Sequence, residues 1–471
     1  MQLKRARRGR ICRTLGLLTA NLFVASGACA QNAQDPANTP SADQGPVDGA
    51  VNDDTQSDLG MTRIDGAVLF YQEDGGRVRT IEPVLGATLN ASSGDVLSVK
   101  LTSDTLTGAT PNGAAPWTGT QTFTTPAHAP GTQSVVTGSS GGSVLVTNPG
   151  TGTVVRQYTA GPNQLPVDAG FRDQREAIDI AYSDQWRPDT KLSVGGGASI
   201  ERDYTSLTAS LGAAHDLNHK NTTVSVVFNF EYDLSRPYFG TPTPFTVMSG
   251  DSKGANASKN VYNVVLGVTQ VINRRWLAQL NYSIGSTNGY QTDPYRIISI
   301  VDATGAPQQY LYENRPNSRI RQSVYFGNKI ALGPTYADIS ARYYHDSWGI
   351  NAITIAGAER VPIIGGLYVE PEARFYRQTA ANFFHDYLLS GQALPAFASS
   401  DSRLGKFRAV TYGAKVGLKV SHTGEFYLQA ERYVQSATAH PAGAVGALAN
   451  ENLFSGTSAT NVIVGYTFAF F

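Results

Sequence analysis

Three of the seven histidines precede an aspartate, at His215-Asp216, His345-Asp346 and His385-Asp386, and these are the natural places to look for catalysis. A hydrolytic triad needs a serine, a histidine and an acid converging on one point, with the serine held in a strained turn such as G-x-S-x-G. That turn is absent from the sequence, and His215-Asp216 reads as a turn dipeptide. "SSGGS" (139–143) lacks the lysine of a phosphate-binding loop. No paired cysteines, metal-spaced histidines or aspartate-rich calcium loop occur. No catalytic, cofactor-binding or metal-binding residue is therefore assigned, and the chain is not expected to be an enzyme. A surface hydrolase is the weakest reading.

A second set of residues has a different spacing. Charged side chains recur at every other position within segments whose alternate positions are apolar. "SRIRQSVYFGNK" places Arg319, Arg321 and Lys329 in one frame, followed by Asp338 and Arg342. "YVEPEARFY" does the same for Glu370, Glu372 and Arg374, and "TYGAKVGLK" for Lys415 and Lys419. Charges on one face of a strand point to a water-filled interior whose charged rings filter solutes. The alternative is a salt-bridged interior that only stabilises the wall. Mixed signs argue against strong anion or cation selectivity.

The elements that must carry these residues are strands. "TVSVVFNFEYD" sets Val224, Val226, Phe228, Phe230 and Tyr232 against Ser225, Asn229, Glu231 and Asp233. "RWLAQLNYSIG" repeats the pattern, and period two separates the faces of a strand completely. Sixteen such segments are expected, at 62–72, 77–90, 95–106, 174–185, 190–201, 204–215, 222–234 and 259–272, then 275–287, 318–331, 335–345, 350–360, 366–378, 406–420, 425–436 and 461–471. They are longer than the five or six residues usual in a sandwich and suit a tilted membrane crossing. In lipid such strands must close into a barrel, because an open edge would leave backbone groups unpaired.

The connections are an independent test. "ASSG", "QWRPD", "DLNHKN", "NR", "GP", "VPIIG" and "SHTG" alternate with the long ones, which follow segments 3, 7, 9, 13 and 15. Long loops on one side and short turns on the other are the habit of outer-membrane barrels. The fold class expected is all-β, a transmembrane antiparallel up-and-down β-barrel of about 16 strands. Weak alternation in "INAITIAGAER" and the tight 201–204 connection leave 14 or 18 open.

Residues 1–30 read as a signal peptide, with a basic start, a short apolar run from Leu15 to Val24, and "ACA" at 28–30 as the cleavage pattern. Acylation at Cys29 is disfavoured by Ser26. Both cysteines, Cys12 and Cys29, fall in this segment. Residues 31–60 read as a disordered periplasmic tail, and 61–471 as the barrel in the outer membrane of a Gram-negative bacterium. Residues 107–171 form a long low-charge outer loop or plug in which "SVVTGSSGGSVLV" reads as a hairpin. The 37 basic and 37 acidic residues balance, giving no reason to expect nucleic acid.

The chain stops at "NVIVGYTFAFF". This is the closing strand, and Tyr466, Phe468, Phe470 and Phe471 resemble the signal read by the barrel assembly machinery. Phe471 is out of phase with the aromatic frame, as if one residue had been added. The expected partners are outer-membrane lipids, that machinery and a periplasmic protein.

Several segments carry a wider resemblance. "YQEDGGRVRTIEPV", "FRDQREAIDIAYSDQW", "ENRPNSRIRQSVYF", "ARYYHDSWGI" and "LYVEPEARFYRQTAANFF" resemble an uncharacterised outer-membrane β-barrel family, domain of unknown function 3570. The resemblance implies an outer-membrane barrel with no assigned activity and supplies no catalytic residues. It also implies redox-linked or flavin-related periplasmic partners, so that an envelope scaffold stands as the alternative to a porin-like channel.

Overall fold

The computed structural model describes residues 62–91, 93–126, 144–147, 154–248, 254–421, 423–454 and 456–470. The expected signal peptide, the polar tail, the first ten residues of the glycine-rich hairpin and Phe471 lie outside the described residues.

Alternation decides the fold. Its first half contains β1 (Thr62–Glu73), β2 (Val78–Asn90), β3 (Val96–Pro111), β4 (Gln121–Pro126), β5 (Val144–Thr147), β6 (Val154–Ala160), β7 (Val167–Arg187), β8 (Thr190–Glu201), β9 (Tyr204–Leu217), β10 (Thr222–Ser235) and β11 (Ala257–Asn273). The second half adds β12 (Trp276–Gly289), β13 (Ile297–Val301), β14 (Pro307–Tyr312), β15 (Ser318–Ala331), β16 (Tyr336–Asp346), β17 (Asn351–Ile364) and β18 (Leu367–Gln378). The last are β19 (Leu388–Leu389), β20 (Phe407–Lys419), β21 (Gly424–Ser436) and β22 (Ser458–Phe470).

Sixteen of these close into one antiparallel barrel in the order β1-β2-β3-β7-β8-β9-β10-β11-β12-β15-β16-β17-β18-β20-β21-β22. β1 and β22 seal it, with Thr62 opposite Phe470 and Glu73 opposite Ala459. The sixteen sequence segments each supply one barrel strand. Both uncertain places resolve simply. "INAITIAGAER" enters β17, whose Ile353 and Ile355 lie exposed on the outer face, and Arg202 and Asp203 alone turn β8 into β9.

The outer face is apolar through its middle, with Glu176, Arg432 and His345 toward the long-loop end. Leu85, Ile180, Leu211, Leu266, Leu280 and Val464 stand exposed there, as lipid contact requires. Trp186, Trp276, Phe426 and Phe468 gather at the short-turn end, and Phe70, Tyr232 and Tyr343 toward the other. Such aromatic rings mark the two interfaces of a membrane band. This is a transmembrane β-barrel of the outer-membrane type.

One expectation changes in detail. β9 runs on to Leu217, so His215-Asp216 ends a strand and the turn begins at Asn218. Thr223 across the pair donates to Asp216 Oδ1 at 2.7 Å, and that tie extends the strand. Within the glycine-rich hairpin, Val144–Thr147 pairs with β6, which also pairs with β4.

Candidate functional site

The inner face is the site to examine, because alternation sends to it every residue the outer face excludes. Register carries one face around the wall: Lys100 lies opposite Asp179, Glu231 opposite Thr208, Arg321 opposite Asp346 and Glu370 opposite Lys415. All ten expected lumen residues fall on this inner face.

They do not behave alike. Arg319 is 1% exposed and donates through Nε and Nη2 to Asp346 Oδ2 at 2.8 and 2.5 Å. Its guanidinium also stacks 4.2 Å from the Trp348 ring centroid. Asp346 Oδ1 accepts the backbone N–H groups of Trp348 and Ile350, each at 3.0 Å, so the pair shapes the β16–β17 turn. Arg319 is an anchor of the wall. Lys329 and Asp338 stand 3.3 Å apart near the short turns, with side chains 34% and 45% exposed to the lumen.

The rest form a connected polar surface. Arg321 donates to Thr287 Oγ1, and Arg342 lies level with Tyr325 and Thr354. Glu370 accepts Arg360 Nε at 2.6 Å, and Arg360 stacks on Tyr368, whose hydroxyl donates to Glu425. Glu372 accepts from Gln429, which also donates to Glu431. Arg374 lies opposite Thr411, Lys415 sits over the Tyr427 ring, and Lys419 is level with Glu425. Sequence reasoning passed over Asp104, Arg175, Glu201, Lys259 and Arg360, although carrying the alternation to the strand ends would have found them. Arg175 Nε donates to Asp104 at 2.5 Å, and Lys259 stands 3.4 Å from Asp233.

The long loops meet above this lumen. β13 and β14 form a hairpin joined in parallel by β19. Residues of the β10–β11 loop bond to β14, with Phe245 N donating to Tyr312 O and Met248 N to Tyr310 O. β4 and β6 pack on it through Phe123, Tyr158 and Ala160, which share a core with Ile297 and Tyr312. Leu448 of the β21–β22 loop packs on Val301. All five long loops thus join one cap. The low charge of 107–171 has its cause here, since its described part buries apolar side chains against other loops. Gly113 fits only as glycine, with φ +98° and a Cβ that would lie 2.2 Å from Ile297 O.

Polar groups fasten the cap. Asp401 is 1% exposed and accepts Arg315 Nη2 at 2.8 Å and Arg403 Nη2 at 2.5 Å, with Arg296 3.8 Å away. Burial alone would raise its carboxyl, but the guanidiniums of Arg296, Arg403 and Arg315 hold it well below the usual carboxylate range. Tyr295 reaches from the β12–β15 loop to Asp203 in the β8–β9 turn, and the far end of the hairpin, at Thr304, accepts Ala447 N. The hairpin therefore ties distant parts of the rim together.

The His-Asp pairs are separated. Strand geometry points the two halves of His215-Asp216 and of His345-Asp346 to opposite faces. His215 meets Thr190 and His345 meets Asn351, while Asp346 turns inward to Arg319. His385 and Asp386 lie in the cap, where burial lowers the imidazole pKa and pushes the carboxyl up to about 6.

The barrel is similar to solved outer-membrane proteins at very low identity. The outer membrane protein opdK of Pseudomonas aeruginosa is 8% identical with a TM-score of 0.36, over 87% of this chain and 99% of that one. The ferric enterobactin receptor PfeA of Pseudomonas aeruginosa is 12% identical with a TM-score of 0.41, over 86% of this chain and 59% of that one. The CymD monoaromatic hydrocarbon channel is 8% identical with a TM-score of 0.36, over 88% and 89%. No curated protein sequence matches. A family model described as "Protein of unknown function (DUF3570)" matches residues 47–468, and the chain belongs to that family.

Proposed function

We propose that the protein is an integral barrel of the Gram-negative outer membrane that passes small polar solutes through its lumen, with the cap restricting access from outside. The observation that carries this reading is an inner face with ionisable side chains on every barrel strand but β12 and β22, enclosed by an outer face with exposed apolar side chains. A wall needed only for stability would be filled more cheaply by apolar side chains, since buried ion pairs seldom add net stability. Accessible groups such as Lys329 and Asp338 keep the interior wet. In this reading lipid covers the outer face, the assembly machinery reads β22, and the protein performs no catalysis. Purified protein in planar bilayers should give stepwise conductance. Silence at every voltage and salt, with the barrel shown to be folded, would overturn the proposal.

A further inference from the structure

The inner wall is polarised across its width. Five consecutive barrel strands, β15 to β18 and β20, form one arc. Inward from β15 come Arg319, Arg321 and Lys329, and β16 and β17 add Arg342 and Arg360. β18 and β20 add Arg374, Lys415 and Lys419. Four carboxylates, Asp338, Asp346, Glu370 and Glu372, oppose these eight cations on the same arc. Basic β15 and the acids of β18 share one wall, since only β16 and β17 separate them.

In a sixteen-stranded ring, β7 is the strand diametrically opposite β17. The five strands centred on it are β2, β3, β7, β8 and β9. Their inward acids are Glu82, Asp104, Asp173, Asp179, Glu201 and Asp216, against Lys100, Arg175 and Lys191. Of the flanking strands, β10 and β11 beside this arc carry Glu231, Asp233 and Lys259, and β21 beside the basic arc carries Glu425 and Glu431. Acids outnumber bases two to one on one side, and bases outnumber acids two to one on the other.

We infer that the lumen carries a transverse field that selects dipolar solutes, small zwitterions bearing an ammonium and a carboxylate or sulfonate. The inference rests on the channel reading. Sixteen strands about 4.8 Å apart, tilted about 40°, give a backbone diameter of roughly 30 Å. Long side chains from both walls narrow the gap to about one or two Debye lengths, so screening does not erase the field. Low-dielectric walls focus it further. A solute of one charge is drawn to one wall and repelled by the other. A zwitterion turned across the lumen is favoured at both ends.

The test uses the full-length protein in liposomes and planar bilayers, with glycine betaine and γ-aminobutyrate as zwitterions and a neutral polyol of matched size as reference. Swelling should be about threefold faster for the zwitterions, the factor that roughly one kT of orientation energy gives. The variant Arg342→Gln/Arg374→Gln/Lys415→Gln should move the potassium chloride reversal potential toward cations, and Glu82→Gln/Asp179→Asn toward anions. Each should abolish the zwitterion advantage, with heat-modifiable migration confirming a folded barrel. Conductance with equal swelling rates in the native protein, or shifts of the same sign in both folded variants, would overturn this inference alone. A folded barrel that passes neither ions nor solutes would overturn the channel reading and this one together.

Discussion

The ring of Tyr466 lies over Gly66 across the seam where the last strand meets the first. The two residues are register partners on the outer face, and a Cβ at position 66 would sit 2.5 Å from the tyrosine ring. Tyr466 continues into an aromatic group with Phe426 and Phe468, at 6.5 and 5.8 Å between centroids. Gly66→Val should therefore force the ring off the seam, at a cost of about 1–3 kcal/mol for overpacking. The temperature at which the folded band converts to the unfolded band on a gel should fall, while Ala67→Ser on the lumen side leaves it in place.

The end of the chain makes a sharper prediction. Val462, Val464, Tyr466, Phe468 and Phe470 share the outer face of β22, so the aromatic frame closes at Phe470. Removing Phe471 alone should be tolerated. Removing Phe470 and Phe471 together should reduce the amount of folded barrel several-fold in membrane fractions. Equal loss from both truncations would refute the frame argument.

Two ion pairs of the lumen wall should differ widely in worth. Arg319→Met strands the buried Asp346 carboxylate and should cost about 3–5 kcal/mol. Lys329→Met affects a pair open to water and should cost less than about 1 kcal/mol. Denaturant unfolding of both variants in detergent checks the order, and comparable losses would contradict the burial seen here.

Asp401 should govern the cap without governing the barrel. Asp401→Asn leaves Arg296, Arg315 and Arg403 crowded without their shared anion. Proteases should then cut the 379–406 loop faster, while heat-modifiable migration stays native. The pH dependence follows from the sign of the shift. A carboxyl held below its ordinary value contributes its stabilisation above about pH 4, and loses it as pH falls through the lowered value. Loop protection should hold from neutral pH to about pH 4 and fail only in stronger acid. Loss near pH 6 would implicate another group.

The sequence made the barrel legible because period two and loop parity are local signals repeated sixteen times. The inner face of each strand was equally legible, since a residue such as Glu370 is assigned by its neighbours Val369 and Pro371 alone. Two things were not. Whether a charge serves water or the wall depends on what lies beside it, and nothing local distinguishes buried Arg319 from accessible Lys329. The cap was invisible because its strands are short and its partners remote. β19 is two residues long and pairs with β13, placing Leu388 opposite Ile300.

That remoteness has a consequence for how the molecule is completed. Many contacts of the cap join segments from different loops, such as β19 with β13 and Leu448 with Val301, and loop-closure entropy disfavours such contacts in a free chain. The finished wall removes that obstacle by holding all five loops over one opening, which raises their effective concentration toward the millimolar range or above. The cap is therefore expected to form after the wall, with the barrel as its template. Order of assembly is thereby written into topology: a molecule whose wall is unsealed between Gly66 and Tyr466 has no platform on which to close its mouth.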